Sequence, residues 1–314
     1  MFRKMLVLLD GSELSEVVFP FAKELAARLN LDVTMLQVYG DIGRNFVPVH
    51  QAYIERAAEK IKSQIEDVQE KLGVPLEERQ VKIRGELADG HYAEEILKYA
   101  ENNNIDLILM ASHGRSGIRR WRMGSVADKV LRAAKVPVLF IRAGAEGATP
   151  YDEWPTRTIV APMDGSETAE SVLPHVIALA KQRTVEPVTV NLIKACDPPI
   201  APSYYSPELS GVPLNWGEFM EQEMARCKQS ASEYLGNIAK QLEEQGIKAE
   251  ITILVGKAAD EIIDYVSKNP FSIVVMATHG RTGLSRLVFG SVTESVLQAV
   301  SNPILLTKPE HTDS

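Results

Sequence analysis

Several protein classes announce themselves by features that this chain has little of. Its two cysteines, Cys196 and Cys227, lie 31 apart without a C-x-x-C pair, so neither a disulfide framework nor a zinc site is suggested and buried or idle thiols are expected. No stretch approaches the roughly 18 apolar residues that span a bilayer, and the opening MFRKMLVLLDGSE turns acidic too soon for a signal peptide. A cytoplasmic protein that does not enter the membrane is expected. Positive charge is scarce as well. The formal net charge is −8, with 21 Lys/Arg against 20 Asp/Glu in residues 1–142 and 13 against 22 in residues 143–314. That balance disfavours general nucleic-acid binding. The lysine of a G-x4-G-K-[ST] phosphate loop is missing too, which weakens the case for a phosphoryl-transfer enzyme.

What the chain does have, it has twice. HGRSGIRRWRMGS (113–125) returns as HGRTGLSRLVFGS (279–291), with glycines spaced G-x2-G-x6-G-S in both copies. Each copy follows an apolar run, DLILMAS or SIVVMAT, and precedes a segment of helical spacing, which predicts strand, glycine loop and helix. Such a loop brings backbone N–H groups close to a ligand, and the following helix adds unpaired N–H donors and a positive dipole end. Phosphate is the obvious ligand. A single copy would equally be a tight turn before a well-capped helix, since Ser125 with Asp128 and Ser291 with Glu294 resemble capping boxes. His113 and His279 are expected as turn residues, because no second ligand stands at metal spacing.

The duplication runs through the chain. With 314 residues there is length for two cores of ordinary size. MLVLLD ends at Asp10 and TIVAPMD at Asp164, and a constant offset of 154 also maps Pro20 to Pro174 and Leu25 to Leu179. DVTMLQVY and PVTVNLIKA read as second strands, EERQVKIR and KAEITILV as third strands, and PVLFIR and PILLTK as last strands. Helices are expected over 53–72, 92–101, 219–242 and 260–266, and over SVADKVLRAA and SVTESVLQAV after the loops. The proline-rich stretch 196–216 is either a lid or a long surface loop. Two α/β domains result, residues 1–142 and 156–309, joined by a Gly- and Pro-bearing linker over 143–155. Each is a doubly wound, five-stranded parallel sheet with helices on both faces.

The strand-ending acids in DGSELS and DGSETA, the ASHG and ATHG turns and both glycine loops resemble a tandem universal stress protein over nearly the whole chain. The resemblance implies strand order 3-2-1-4-5 in each domain, and ATP, with or without magnesium, as ligand. It places Asp10 and Asp164, with Gly11 and Gly165, against the nucleoside, and Val38 and Ile193 beside adenine. Met110, Ala111, Met276 and Ala277 would line the same pockets. Gly114, Arg115, Gly117, Gly124, Ser125 and Val126 would hold phosphates in one domain, and Gly280, Arg281, Gly283, Gly290, Ser291 and Val292 in the other. In that strand order the crevice above strands 1 and 4 is also where an open α/β sheet binds ligands on general grounds. The acids have a second use, capping the helix that follows them.

The leading function is thus an ATP-binding regulator of the stress response. The alternatives are a slow ATPase or autophosphorylating protein, and a nucleotide-free scaffold. Pairing of the last strands, within the chain or in a homodimer, and an unknown protein partner complete the expectations.

Overall fold

A computed structural model describes residues 2–79, 81–112, 123–143, 149–184, 187–198, 216–278 and 289–309. The first half runs β1 (Lys4–Leu9), α1 (Phe19–Leu29), β2 (Asp32–Tyr39), α2 (Val47–Lys71), β3 (Ile83–Asp89), α3 (Tyr92–Asn102), β4 (Leu107–Ala111), α4 (Ser125–Ala133) and β5 (Val138–Ile141). The second repeats it as β6 (Thr158–Pro162), α5 (Glu167–Glu170), α6 (Leu173–Ala180), β7 (Thr189–Cys196), α7 (Trp216–Glu243), β8 (Lys248–Val255), α8 (Ala258–Lys268), β9 (Ser272–Ala277), α9 (Ser291–Ala299) and β10 (Ile304–Thr307). No helix among the described residues is long and apolar enough to cross a membrane.

β1 shows why the sheet has two covered faces. Met5, Val7 and Leu9 pack on one side with α1 and α2, whereas Leu6 and Leu8 pack on the other with α3 and α4. Side chains alternate across a strand, so an unbroken apolar run satisfies both layers. Each fully buried aliphatic of this kind contributes about 1.5–3 kcal/mol.

One sheet contains all ten strands, in the order β3-β2-β1-β4-β5-β10-β9-β6-β7-β8. Read inward from either edge, this is 3-2-1-4-5. The strand pairs within each half are parallel, and the halves meet where β5 and β10 run antiparallel, Leu139 opposite Leu305. Two basic side chains reinforce this seam in a reciprocal way. Arg142, just after β5, donates to the carbonyls of Leu297 and Gln298 at the end of α9 (2.7 and 2.9 Å), and Lys308, after β10, donates to that of Arg132 in α4. A cation there satisfies orphan carbonyls and opposes the helix dipole. Burial pulls the pKa of each cation below its ordinary value. On the far side of the sheet, Tyr151 and Trp154 pack on Phe21 of α1, and Arg157 reaches Glu24 (3.5 Å).

Three expectations need correction. The third strand of the first half begins at Ile83, not Glu77, and runs to Asp89, because its partner is β2 from Val33 to Tyr39 and Leu76–Glu78 form a 3-10 turn instead. Ser125 and Ser291 are not N-caps. Gly124 and Gly290 hold that position, the serines begin the helices, and Asp128 bonds Arg132 (2.8 Å) rather than closing a capping box. The helices expected over 53–72 and 219–242 begin earlier, at Val47 and Trp216. Residues 199–215 lie outside the described residues, as does most of the proline-rich stretch.

Candidate functional site

Because β1 and β4 are neighbours while their crossovers leave to opposite faces, a crevice opens above their carboxyl ends. The DGS turn builds one wall. Asp10 Oδ1 accepts from the Ser12 amide (3.0 Å) and hydroxyl (2.6 Å), and Asp164 Oδ1 accepts from the Ser166 amide (2.8 Å). Between acid and serine, Gly11 and Gly165 adopt φ of +82° and +88°, a conformation in which a side chain would be strained. The acids therefore shape the turn rather than cap a helix, since the N-caps of α1 and α5 are Val18 and Ser166, and they also line the crevices.

The opposite wall is the start of α4 or α9. Gly124 N–H donates to Ser112 O (3.0 Å) and Gly290 N–H to Thr278 O (2.8 Å), which ties each helix start to the end of its strand. The φ values of Gly124 and Gly290 are −60° and −62°. Glycine is therefore not required there by backbone conformation. It is space that matters, since a Cβ on Gly124 would lie 3.2 Å from Ser112 O. The first-turn amides of α4 and α9 have no partner inside the helix and carry its positive end, which suits a phosphate.

In the first half a cleft of about 730 Å³ gathers Asp10, Val38, Met110, Ala111, Gly124, Ser125 and Val126. In the second, one of about 360 Å³ gathers Asp164, Ile193, Met276, Ala277, Gly290, Ser291 and Val292. Both volumes lie in the range of small-ligand pockets. His113, Gly114, Arg115, Gly117, His279, Gly280, Arg281 and Gly283 lie outside the described residues.

Spacing along the chain misaligned one strand. Gly90 N–H bonds Tyr39 O and Gly256 N–H bonds Cys196 O (3.0 and 3.1 Å), which makes Tyr39 and Cys196 counterparts. Counting back, Val38 corresponds to Ala195, Gln37 to Lys194 and Leu36 to Ile193. Ile193 still lines the crevice, but Ala195 stands in the register of Val38. The extra residues of the second half fall between α6 and β7, where the offset of 154 no longer applies.

Several lining residues were not foreseen. Phe46, Val49 and Tyr92 form an apolar rim on the first cleft, each at least half exposed. Gln37 and His50 stand together, Gln37 Nε2 being 3.1 Å from His50 Nδ1, with the His50 ring stacked on Tyr39. In the second crevice Lys194 donates to Asp164 O (2.6 Å) and lies 5.3 Å from the centre of the Tyr234 ring. Behind each crevice a tyrosine holds the first helical turn: Tyr53 OH donates to Glu16 (3.1 Å) and Tyr234 OH to Glu170 (2.9 Å). Burial first, then the carboxylate, raises both phenol pKa values. The thiol of Cys196 is pushed up to about 11 by burial and by the Cys227 thiol beside it, so both cysteines are free and Cys196 stays neutral near pH 7. Among the described residues no group of three or more His, Cys, Asp or Glu is placed to hold a metal ion.

Comparison with known proteins agrees with this architecture. The family model described as "Universal stress protein family" matches residues 1–142 and again 155–308. Universal stress protein MJ0577 of Methanocaldococcus jannaschii is 31% identical over 154 residues, 48% of this chain and 94% of that protein. A universal stress protein of Mycolicibacterium smegmatis is 21% identical over 309 residues, 97% of this chain and 96% of its own. The crystal structure of a universal stress protein from Archaeoglobus fulgidus superposes with a TM-score of 0.63 at 19% identity, covering 99% of this chain and 97% of that one, which speaks for the fold.

Proposed function

Since the chain belongs to the universal stress protein family, we propose that it binds ATP or another adenine nucleotide in both crevices and acts in the cytoplasm as a nucleotide-dependent regulator of the stress response. One observation carries this. In both halves the same set, a turn-building acid, a Met-Ala strand end and a Gly-Ser-Val helix start, converges on one crevice above strands 1 and 4 of that half.

The residues fit the ligand. Helix amides with a glycine before them suit phosphates, while Val38 and the rim of Phe46, Val49 and Tyr92 suit a flat apolar base. β2 is two strands from β4, roughly 10 Å at the usual strand spacing. That span suits a ribose lying over Asp10 between base and phosphates. Occupancy would alter the surface offered to a protein partner. Mass spectrometry of nucleotide released from freshly purified, denatured protein tests the proposal: adenine nucleotide is expected, and protein that carries none and gives no heat on titration with ATP contradicts it. Following γ-phosphate over time separates a regulator, which retains it, from a slow ATPase.

A further inference from the structure

Where the halves meet, α4 of the first reaches the chain that enters the second crevice. The guanidinium of Arg132, in the last turn of α4, lies 4.6 Å from the centre of the Phe289 ring. Phe289 is buried, and the next residue is Gly290, whose N–H bonds Thr278 O (2.8 Å) just before α9 begins at Ser291. Two further bonds fix the arginine: Asp128 Oδ1 accepts from its Nε (2.8 Å), and its carbonyl accepts from Lys308. The far end of α9 is held from the first half too, because Arg142 donates to the carbonyls of Leu297 and Gln298. A guanidinium over an aromatic ring is attracted to its negative face, more strongly where water is excluded. The contact is not reciprocated. The glycine motifs align Arg132 with Gln298 and Phe289 with Met123, which offer neither a cation nor a ring.

Resting on the adenine-nucleotide reading above, we propose that Arg132 is a positioning residue of the second crevice, contributed by the first half. It does not line that crevice and acts through Phe289. By pinning the ring it fixes the chain entering α9, so that the first-turn amides of α9 stand ready before a phosphate arrives and binding need not order them. The second crevice is therefore incomplete without the first half, whereas the first does not depend on the second in this way.

The test uses the full chain, with Gly124→Val silencing the first site or Gly290→Val the second, so that calorimetry with ATP reads one crevice at a time. Arg132→Met keeps an unbranched stem and removes the charge, and should weaken ATP in the second crevice roughly 3- to 10-fold while the first changes by less than about twofold. Arg132→Lys, which retains a cation, should recover part of the loss. Phe289→Leu should weaken the second site similarly, and Arg132→Met with Phe289→Leu no further than either change alone, since both remove one contact. Hydrogen exchange gives a readout that needs no nucleotide: the Gly290 amide should exchange faster in Arg132→Met, and the Gly124 amide at its original rate. Thermal melts confirm that each variant is folded. A chain that binds ATP, and whose folded Arg132→Met variant keeps its second-site affinity or loses affinity equally at both sites, overturns this inference and leaves the nucleotide reading standing. A chain that binds no ATP overturns that reading, and unchanged exchange at Gly290 then overturns the positioning contact as well.

Discussion

The two crevices are alike where the end of the central strand meets the helix start and differ at the end formed by the outer strand and the helix after it. Both keep the DGS turn, the glycine bonded to the end of the central strand, and the helix that begins at Ser125 or Ser291. They part on β2 and β7. Where the first has Gln37, His50 and an apolar rim around about 730 Å³, the second has Lys194 bonded to Asp164 O and about 360 Å³. Phosphate recognition depends on backbone geometry, which a duplicated fold reproduces whatever its side chains are. Base recognition depends on side chains from the outer strand and following helix, which are free to drift. On the proposed nucleotide reading, a common phosphate grip and different affinities at the two sites are expected.

The largest effect should come from the shared end. Gly124→Val places a branched side chain against Ser112 O and over the α4 amides, and should weaken ATP at the first site at least about 100-fold, near 2.8 kcal/mol. Gly290→Val should do so at the second alone. Calorimetry of each variant checks this, and loss of both sites from either single change would break the separation of the halves.

Lys194→Ala sharpens the contrast at the other end. It removes the side chain that crosses to Asp164 O, and ATP should bind the second site roughly 3- to 10-fold more tightly, by about 1 kcal/mol. Weaker binding would instead make Lys194 a ligand of the nucleotide. In stability rather than affinity, Tyr53→Phe and Tyr234→Phe each break one partly buried bond to a carboxylate, for about 1 kcal/mol in a denaturant titration. Similar losses would show that the support behind the crevices has not diverged. Ser125→Ala should be smallest. The hydroxyl is not an N-cap, so stability should change by less than about 0.5 kcal/mol, and an effect on ATP affinity would then report direct contact.

Much of this architecture was legible from residues. β2 and β8 coincide with DVTMLQVY and KAEITILV, because both runs are uninterrupted and followed directly by a glycine, Gly40 and Gly256. The slip at β3 arose because Glu77 to Arg84 looks no less strand-like than Ile83 to Asp89, and only pairing with β2 decides. The Gly-Ser-Val helix start at one end of each crevice was readable as part of a local motif with fixed spacing. The other end was not, since Gln37, Phe46, His50 and Tyr92 come from four different elements and meet only in space. The duplication offered a signal, the contrast of Gln37 with Lys194, but it emerges only after backbone bonds correct the alignment by three residues from the offset of 154. The capping boxes failed for a simpler reason: glycine is itself an adequate N-cap.

The most direct measurement is titration of the full chain with ATP by calorimetry, joined to its thermal melt. Two sites per chain are expected, the first tighter than the second. A concentration 100 times the dissociation constant should add about 2.7 kcal/mol of stability. No heat, and a melting temperature unmoved at millimolar ATP, would contradict nucleotide binding in either crevice.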